Sequence, residues 1–210
     1  MTAFTVDQMR DILEPFHAGL TEAQLIHFCK YAQLLAHWNQ ALNLTAVSDP
    51  EEIATRHFGE SIFASTTFRL SEGRLADVGT GAGFPGLPLK IVSPALDLTL
   101  LEPNAKKCAF LTEAYTGLGL DPVAVIRSRY EDYDPGAAGV DFLVSRALGN
   151  YKQLLRWSPR ILNRDGLVIL WLGAEDSLLV SRSNGWKWDS PILIPGSRRR
   201  VLLAGRITRS

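Results

Sequence analysis

Ala76-Asp77-Val78-Gly79-Thr80-Gly81-Ala82-Gly83-Phe84-Pro85-Gly86 decides the fold, because it ends an apolar strand in a glycine-rich turn that leads into a helix. Glycine tolerates the backbone of a tight turn and lets a ligand approach closer than any Cβ would permit, ahead of a helix N-terminus whose amides are free. The carboxyl edge of this strand is therefore expected to hold a cofactor. Gly81-x-Gly83-x-x-Gly86 matches the dinucleotide-binding pattern in form. Its register does not: in that fingerprint the first glycine ends the strand, whereas here Asp77 and Gly79 precede the matching triplet.

Downstream of the turn, short apolar runs alternate with helical ones: 74–78 then 85–92, 96–102 then 105–118, 122–126, 140–145 then 150–162, and 167–172. That alternation predicts a parallel, doubly wound sheet with right-handed crossovers. The tail differs, with β-like runs at 186–194 and 199–207 separated by Pro195-Gly196-Ser197, which predicts an antiparallel hairpin closing the sheet. Upstream, the first seventy or so residues read as helical. Thr21 and Gln24 form a capping-box pattern, and Leu25, Phe28, Ala32, Leu35 and Leu42 follow at helical steps. A second helix start stands at Asp49, with Pro50 at the first helical position and Glu52 three residues on. No internal repeat, low-complexity segment or linker interrupts the chain. A single domain over 1–210 is expected, with a helical N-terminal extension (1–73) on a cofactor-binding α/β core (74–210).

The 210 residues, 46% hydrophobic and 21% charged, suit one large core and exclude disorder, collagen and coiled coil. Lys plus Arg equals Asp plus Glu at 22 each, so net charge alone drives the chain onto neither nucleic acid nor membrane. The balance hides a split. From Arg146 onward there are twelve bases against four acids, with Arg198, Arg199, Arg200, Arg206 and Arg209 crowded at the end. A basic end on a neutral protein suits an anionic partner docked on one face, and equally a solvated surface strand. Cys29 and Cys108 lie in apolar-periodic stretches with no metal-binding spacing, so reduced core thiols and no metal are expected. The start, MTAFTVDQMR, has no apolar leader, and the run 167–174 is too short to span a bilayer. A cytoplasmic protein with no membrane partner follows.

The order Asp77-x-Gly79-x-Gly81-x-Gly83 resembles the first motif of class I S-adenosylmethionine-dependent methyltransferases. Twenty-five residues beyond Asp77, Glu102 ends the second strand, where a carboxylate can accept both hydroxyls of an adenosine ribose. The third strand leads into Ser128-Arg129-Tyr130-Glu131-Asp132, which in this topology lies beside the adenine. There Tyr130 can pack on the ring and an acid can accept from the amino group. The fourth strand reads Phe142-Leu143-Val144-Ser145-Arg146-Ala147-Leu148. It lacks both the Asn/Asp-Pro-Pro-Tyr of exocyclic-amine methyltransferases and the cysteine nucleophile that pyrimidine carbon methylation needs. Arg146 offers a rigid cationic fork at the mouth of the site, able to hold a carboxylate or a phosphate, or to bridge a neighbouring acid.

Taken together with Trp38-Asn39, Asn43-Leu44-Thr45, Arg56-His57 and Lys106-Lys107, these motifs make the chain resemble the RsmG (GidB) family, bacterial small-subunit ribosomal RNA guanine-N7 methyltransferases, over nearly its whole length. The resemblance implies a class I Rossmann-like sheet, S-adenosylmethionine as cofactor, and 16S ribosomal RNA within the 30S subunit as partner, with the enzyme a monomer. It implies a cofactor pocket lined by Gly79, Phe84, Tyr130, Glu131 and Arg146, with Glu102 on the ribose and Asp77 and Gly81 in the glycine turn. Arg198, Arg199 and Arg200 are the candidates for substrate RNA. Guanine N7 carries a free lone pair and no proton, so no general base is expected. Two positions depart from the family pattern. Leu172-Gly173 stands where Lys-Gly is frequent, leaving an RNA-facing cation to Arg182 or the Arg198 cluster, and Glu60 stands where an Asp usually follows Arg-His. Trp38 is expected to anchor helices, Asn43 to suit a turn, and His57 to be a buried, hydrogen-bonded link between the helical extension and the sheet. An NAD-dependent oxidoreductase is disfavoured by the glycine register and the lack of a Tyr-x-x-x-Lys constellation. A ribosome-assembly factor that binds the cofactor only structurally would share the glycine turn.

Overall fold

Residues 4–47, 49–146 and 148–208 are described by a computed structural model. Helix α1 (Val6–Leu13) starts at a capping box in which Thr5 and Gln8 satisfy each other's amides. The expected box of Thr21 and Gln24 starts α2 (Glu22–Leu42), which ends on Asn43 in the left-handed conformation. Asp49 accepts from the Glu52 amide at 2.8 Å and starts α3 (Pro50–Glu52). The chain then passes through a seven-residue π-helical segment, Ile53–Gly59, into α4 (Glu60–Phe68). Met9, Leu13, Leu25, Phe28, Leu35, Phe58 and Ile62 from these elements are fully buried in one cluster.

The core follows as β1 (Glu72–Val78), α5 (Gly86–Val92), β2 (Ala95–Leu101), α6 (Ala105–Leu118), β3 (Val123–Ile126), β4 (Val140–Arg146), α7 (Tyr151–Trp157) and β5 (Leu162–Gly173). Then come α8 (Ala174–Val180), β6 (Trp186–Trp188), β7 (Ile192–Leu193) and β8 (Arg200–Ile207). The sheet runs β3-β2-β1-β4-β5-β8-β6, with β7 also on β8; β1 to β5 are parallel and β8 is antiparallel to its neighbours. Strand order reverses between β1 and β4, and the crevice at their carboxyl ends is where such sheets bind ligands. The N-terminal helices share one core with α5, α6 and one face of the sheet, so the extension is a layer of the fold. Helices α7 and α8 pack on the opposite face.

The tail hairpin is present, but its first run is split, because Pro191 between β6 and β7 has no amide to donate to the ladder. Helix α7 stops at Trp157, earlier than its apolar pattern suggests, because Ser158-Pro159 turns the chain into a short 3₁₀ segment. Strand β5 begins five residues earlier than expected, at Leu162, where it extends the pairing to Val140. Helix α8 gave no sequence signal: Gly173 caps it without a side chain, and Leu178 and Leu179 stay exposed. Both cysteines are free thiols, Cys29 buried and Cys108 half-buried. No described helix is long and apolar enough to cross a membrane.

Candidate functional site

The glycine turn stands at the carboxyl end of β1, beside the reversal point. Its first amides, of Gly79 and Thr80, donate to the Leu101 carbonyl at 3.0 and 3.2 Å. Gly79 and Gly81 have φ of 71° and 60°, which side chains other than glycine rarely adopt. A Cβ on Gly79 would lie 2.9 Å from Leu148 Cδ1. Two strand-end carboxylates brace the turn. Asp77 Oδ2 accepts from Thr80 Oγ1 at 2.6 Å and from the Gly86 amide at 2.8 Å. Glu102 accepts from the Gly81 amide at 3.1 Å with one oxygen and from the Asn104 amide at 2.9 Å with the other. Burial pushes the Asp77 carboxyl up to about 7, against the pull of its two donors. Its Oδ1 is buried without a partner among the described residues.

Against this turn lies a cavity of about 330 Å³, lined by Gly79, Glu102, Ser128, Tyr130, Glu131 and Leu148 among others. Tyr130 and Glu131 stand on a 3₁₀ turn after β3. The Tyr130 ring meets Trp157 edge-on at 5.0 Å, and Glu131 accepts from Gln153 Nε2 at 2.8 Å. Burial, then the Glu131 charge, pushes the Tyr130 hydroxyl up to about 12. The donor set fits S-adenosylmethionine: a backbone cradle that a Cβ would fill, an aromatic wall, and the Glu102 carboxylate, whose oxygens each keep an acceptor position beyond the amide they already hold.

Of the eight expected cofactor residues, Gly79, Glu102, Tyr130 and Glu131 line this cavity, and Asp77 and Gly81 belong to the turn beneath it. Among the described residues Phe84 and Arg146 do not line it and face the N-terminal helices. Phe84 is buried and stacks on His57, with centroids 4.7 Å apart and rings 11° from parallel. His57 also bonds Thr45 Oγ1 through Nε2 at 2.8 Å, a hydrogen bond within the helical extension, so the expected link to the core is made by the stack on Phe84 and not by a hydrogen bond. Burial, then the charges of Arg146 and Arg56, pushes its imidazole down to about 3. Arg146 donates to the Arg56 carbonyl at 2.6 Å and lies 3.6 Å from Glu60. Trp38 ties α2 to α6 through Glu113 at 3.1 Å, and Asn43 makes its turn.

The basic end divides. Arg198 and Arg199 are exposed at the hairpin turn, whereas Arg200 Nε donates to Glu60. Arg206 pairs with Asp189 at 3.7 Å. Arg209, and Ala147 of the fourth-strand motif, lie outside the described residues. The sequence marks Glu60 only as the acid that stands where an Asp usually follows Arg-His, and its partners were not foreseen; 1% exposed, it also receives Trp171 Nε1 on its carbonyl. One site residue escaped sequence reasoning altogether. Tyr31 donates its hydroxyl to the Ala82 carbonyl in the glycine turn and stacks on Phe84, yet in the sequence it is one more apolar-face residue of α2.

Residues 24–180 match the family model described as rRNA small subunit methyltransferase G, three quarters of the chain. The chain belongs to this family. Among curated members, the rRNA small subunit methyltransferase G of Stenotrophomonas maltophilia (strain K279a) is 37% identical over 181 residues, covering 85% of this chain and 84% of that one. The Marinobacter nauticus member (strain ATCC 700491 / DSM 11845 / VT8) is 34% identical over 207 residues, covering 96% and 95%. Among solved structures, a SAM dependent methyltransferase from Aquifex aeolicus superposes with a TM-score of 0.65 at 17% identity, covering 79% of this chain and 97% of that one. A putative O-methyltransferase from Klebsiella pneumoniae gives 0.64 at 14%, covering 85% and 90%. Those identities speak for the fold alone: a class I methyltransferase sheet. In this methyltransferase G family member the helical layer is locked to that sheet by Tyr31, His57 and Glu60.

Proposed function

We propose that the protein transfers the methyl group of S-adenosylmethionine to N7 of a guanine in the decoding-region loop of 16S ribosomal RNA. It would do so in the cytoplasm, as a monomer working on the 30S subunit, with residues 1–210 as one domain. Membership of the rRNA small subunit methyltransferase G family carries this reading. S-adenosylmethionine supplies an electrophilic sulfonium methyl group. Gly79 and Gly81 keep the turn open to it, held by Asp77 from below. Glu102 would accept from the ribose hydroxyls, Tyr130 would pack on the adenine, and Glu131 would accept from its amino group. Phe84 and Arg146, which do not line the cavity, would brace it from the side of the helical layer through His57 and Glu60.

The chemistry asks little else of the chain. Guanine N7 needs no deprotonation, so the protein's contribution is to hold the base in line with the methyl group and keep water out. Unstacking the nucleotide precedes this, and phosphate contacts by Arg198 and Arg199 would steady the strand, while Arg200, the third arginine of the expected cluster, is held on Glu60. The test is transfer of labelled methyl groups from S-adenosylmethionine to 30S subunits lacking the modification, with the product nucleotide mapped. A single N7-methylguanosine in 16S RNA is expected. Label on another atom or another RNA, or cofactor binding without turnover, would reject the proposal.

A further inference from the structure

A cleft of about 580 Å³ opens between α7 and α8, on the sheet face opposite the N-terminal helices. Lys152 and Arg156 stand one turn apart on α7, Arg182 follows α8, and Asp176 is the one acid among the lining residues. Lys152, Arg156 and Arg182 are exposed, and none forms an ion pair among the described residues. Like charges one helical turn apart repel, and no ion pair among the described residues offsets that cost. Tyr151 and Trp186 add aromatic walls, and Leu179 leaves 66% of its surface in water beside them. The helix that bears Lys152 and Arg156 also reaches the cofactor cavity: Gln153, on the first turn of α7, holds Glu131, which lines that cavity.

We infer that this cleft binds the phosphate backbone of the RNA substrate, next to the target nucleotide. The inference rests on the reading of the protein as an RNA methyltransferase. Three unpaired cations over apolar walls match a sugar-phosphate strand, which presents a negative charge at every step and sugars or unstacked bases between. A flexible ammonium and two guanidiniums serve as phosphate contacts that position the strand without reading its sequence.

The experiment compares the wild type with the triple variant Lys152→Ala, Arg156→Ala, Arg182→Ala, measuring binding to protein-free 16S RNA and to 30S subunits across a salt series. The variant should bind both about tenfold or more weakly at moderate salt, with the slope of log affinity against log salt shallower by about two. Cofactor affinity and melting temperature should not change. The charge-keeping variant Lys152→Arg, Arg156→Lys, Arg182→Lys should restore most of the affinity. If the triple variant fails to fold, the single substitutions are read instead, each lowering the slope by about 0.7. Unchanged affinity and slope would overturn the inference, as would a loss seen on 30S subunits alone, which would assign the cleft to a ribosomal protein. Methylation by the wild type is measured separately, so a wrong reaction and a wrong RNA surface give different results.

Discussion

Arg200 Nε donates to Glu60 Oε1 at 2.6 Å, joining residues 140 positions apart. Arg146 approaches the other carboxylate oxygen at 3.6 Å, and Trp171 donates to the Glu60 carbonyl at 2.7 Å. One acid at the start of α4 thereby gathers the ends of β4 and β5 and the beginning of β8. Burial alone pushes its carboxyl up, and the two guanidiniums pull it back.

Removing the acid should therefore cost more than removing a surface ion pair. Glu60→Ala leaves Arg146 buried without its counter-charge, and denaturant unfolding should show a loss on the order of 3 kcal/mol. Glu60→Gln, which keeps an acceptor, should lose less. Because the Arg200 side chain is 39% exposed, its own coupling to Glu60 should be near 1 kcal/mol in a double-mutant cycle, and a coupling of zero would make the contact incidental.

The three adjacent arginines should separate by function. Arg198→Ala and Arg199→Ala, at exposed positions, should flatten the salt dependence of RNA binding and leave the melting temperature in place. Arg200→Ala should lower the melting temperature by several degrees. Equal effects of all three on RNA binding, with no loss of stability at Arg200, would contradict this division.

Much of this was legible in the sequence because it is local. A capping box, a glycine turn and a strand-end acid are each written within a few residues, so Thr21, Asp49, Asp77 and Glu102 stand where they were expected. Contacts that close over long separations were not. Arg146 reads equally as a cation for a ligand and as a bridge to some neighbouring acid until Glu60 and the Arg56 carbonyl are brought to it from some ninety residues away. The π-helical segment has no compositional mark either, since its residues are those of an ordinary helix and only packing sets its pitch.

His57 should not act as a proton acceptor. With its imidazole pushed down to about 3, it is neutral throughout the working range, and single-turnover methyl transfer should be flat from about pH 6 to 8. Its stability signature lies lower. The unfolded chain takes up this proton near pH 6.5 and the folded chain only near 3, so stability falls as pH drops through that window, and His57→Gln should remove this component. A rate that falls tenfold per pH unit below 6.5, and loses that slope in the variant, would refute the assignment.

Asp77 has the opposite sign. Its carboxyl, ordinarily near 3.8, is pushed up to about 7, so its favourable contribution is complete below 3.8 and is lost as pH rises to 7. Asp77→Asn cannot ionise. The stability of the variant relative to wild type should rise between about pH 4 and 7 and level off above, as read from urea midpoints. A constant difference across that range would mean that the buried carboxyl keeps its ordinary value.

The two turn glycines should respond differently to a methyl group. Both have positive φ, so alanine at either should cost about 1–2 kcal/mol of backbone strain. At Gly79 the Cβ also meets Leu148, a cavity-lining residue, whereas at Gly81 its nearest neighbour is 4.0 Å away. Calorimetry should therefore show a larger loss of S-adenosylmethionine affinity for Gly79→Ala than for Gly81→Ala.

The π-helical segment Ile53–Gly59 bears on how the chain can vary in length. Side chains advance by about 100° per residue around a helix, so deleting one residue there would turn α4 by that angle relative to the rest. His57 could no longer lie on Phe84 while Glu60 reaches Arg146 and Arg200. Loops such as that around Gly136 can absorb a lineage's insertions and deletions, but this stretch acts as a ruler whose length is fixed at both ends, and a descendant that loses a residue here must rebuild both contacts at once.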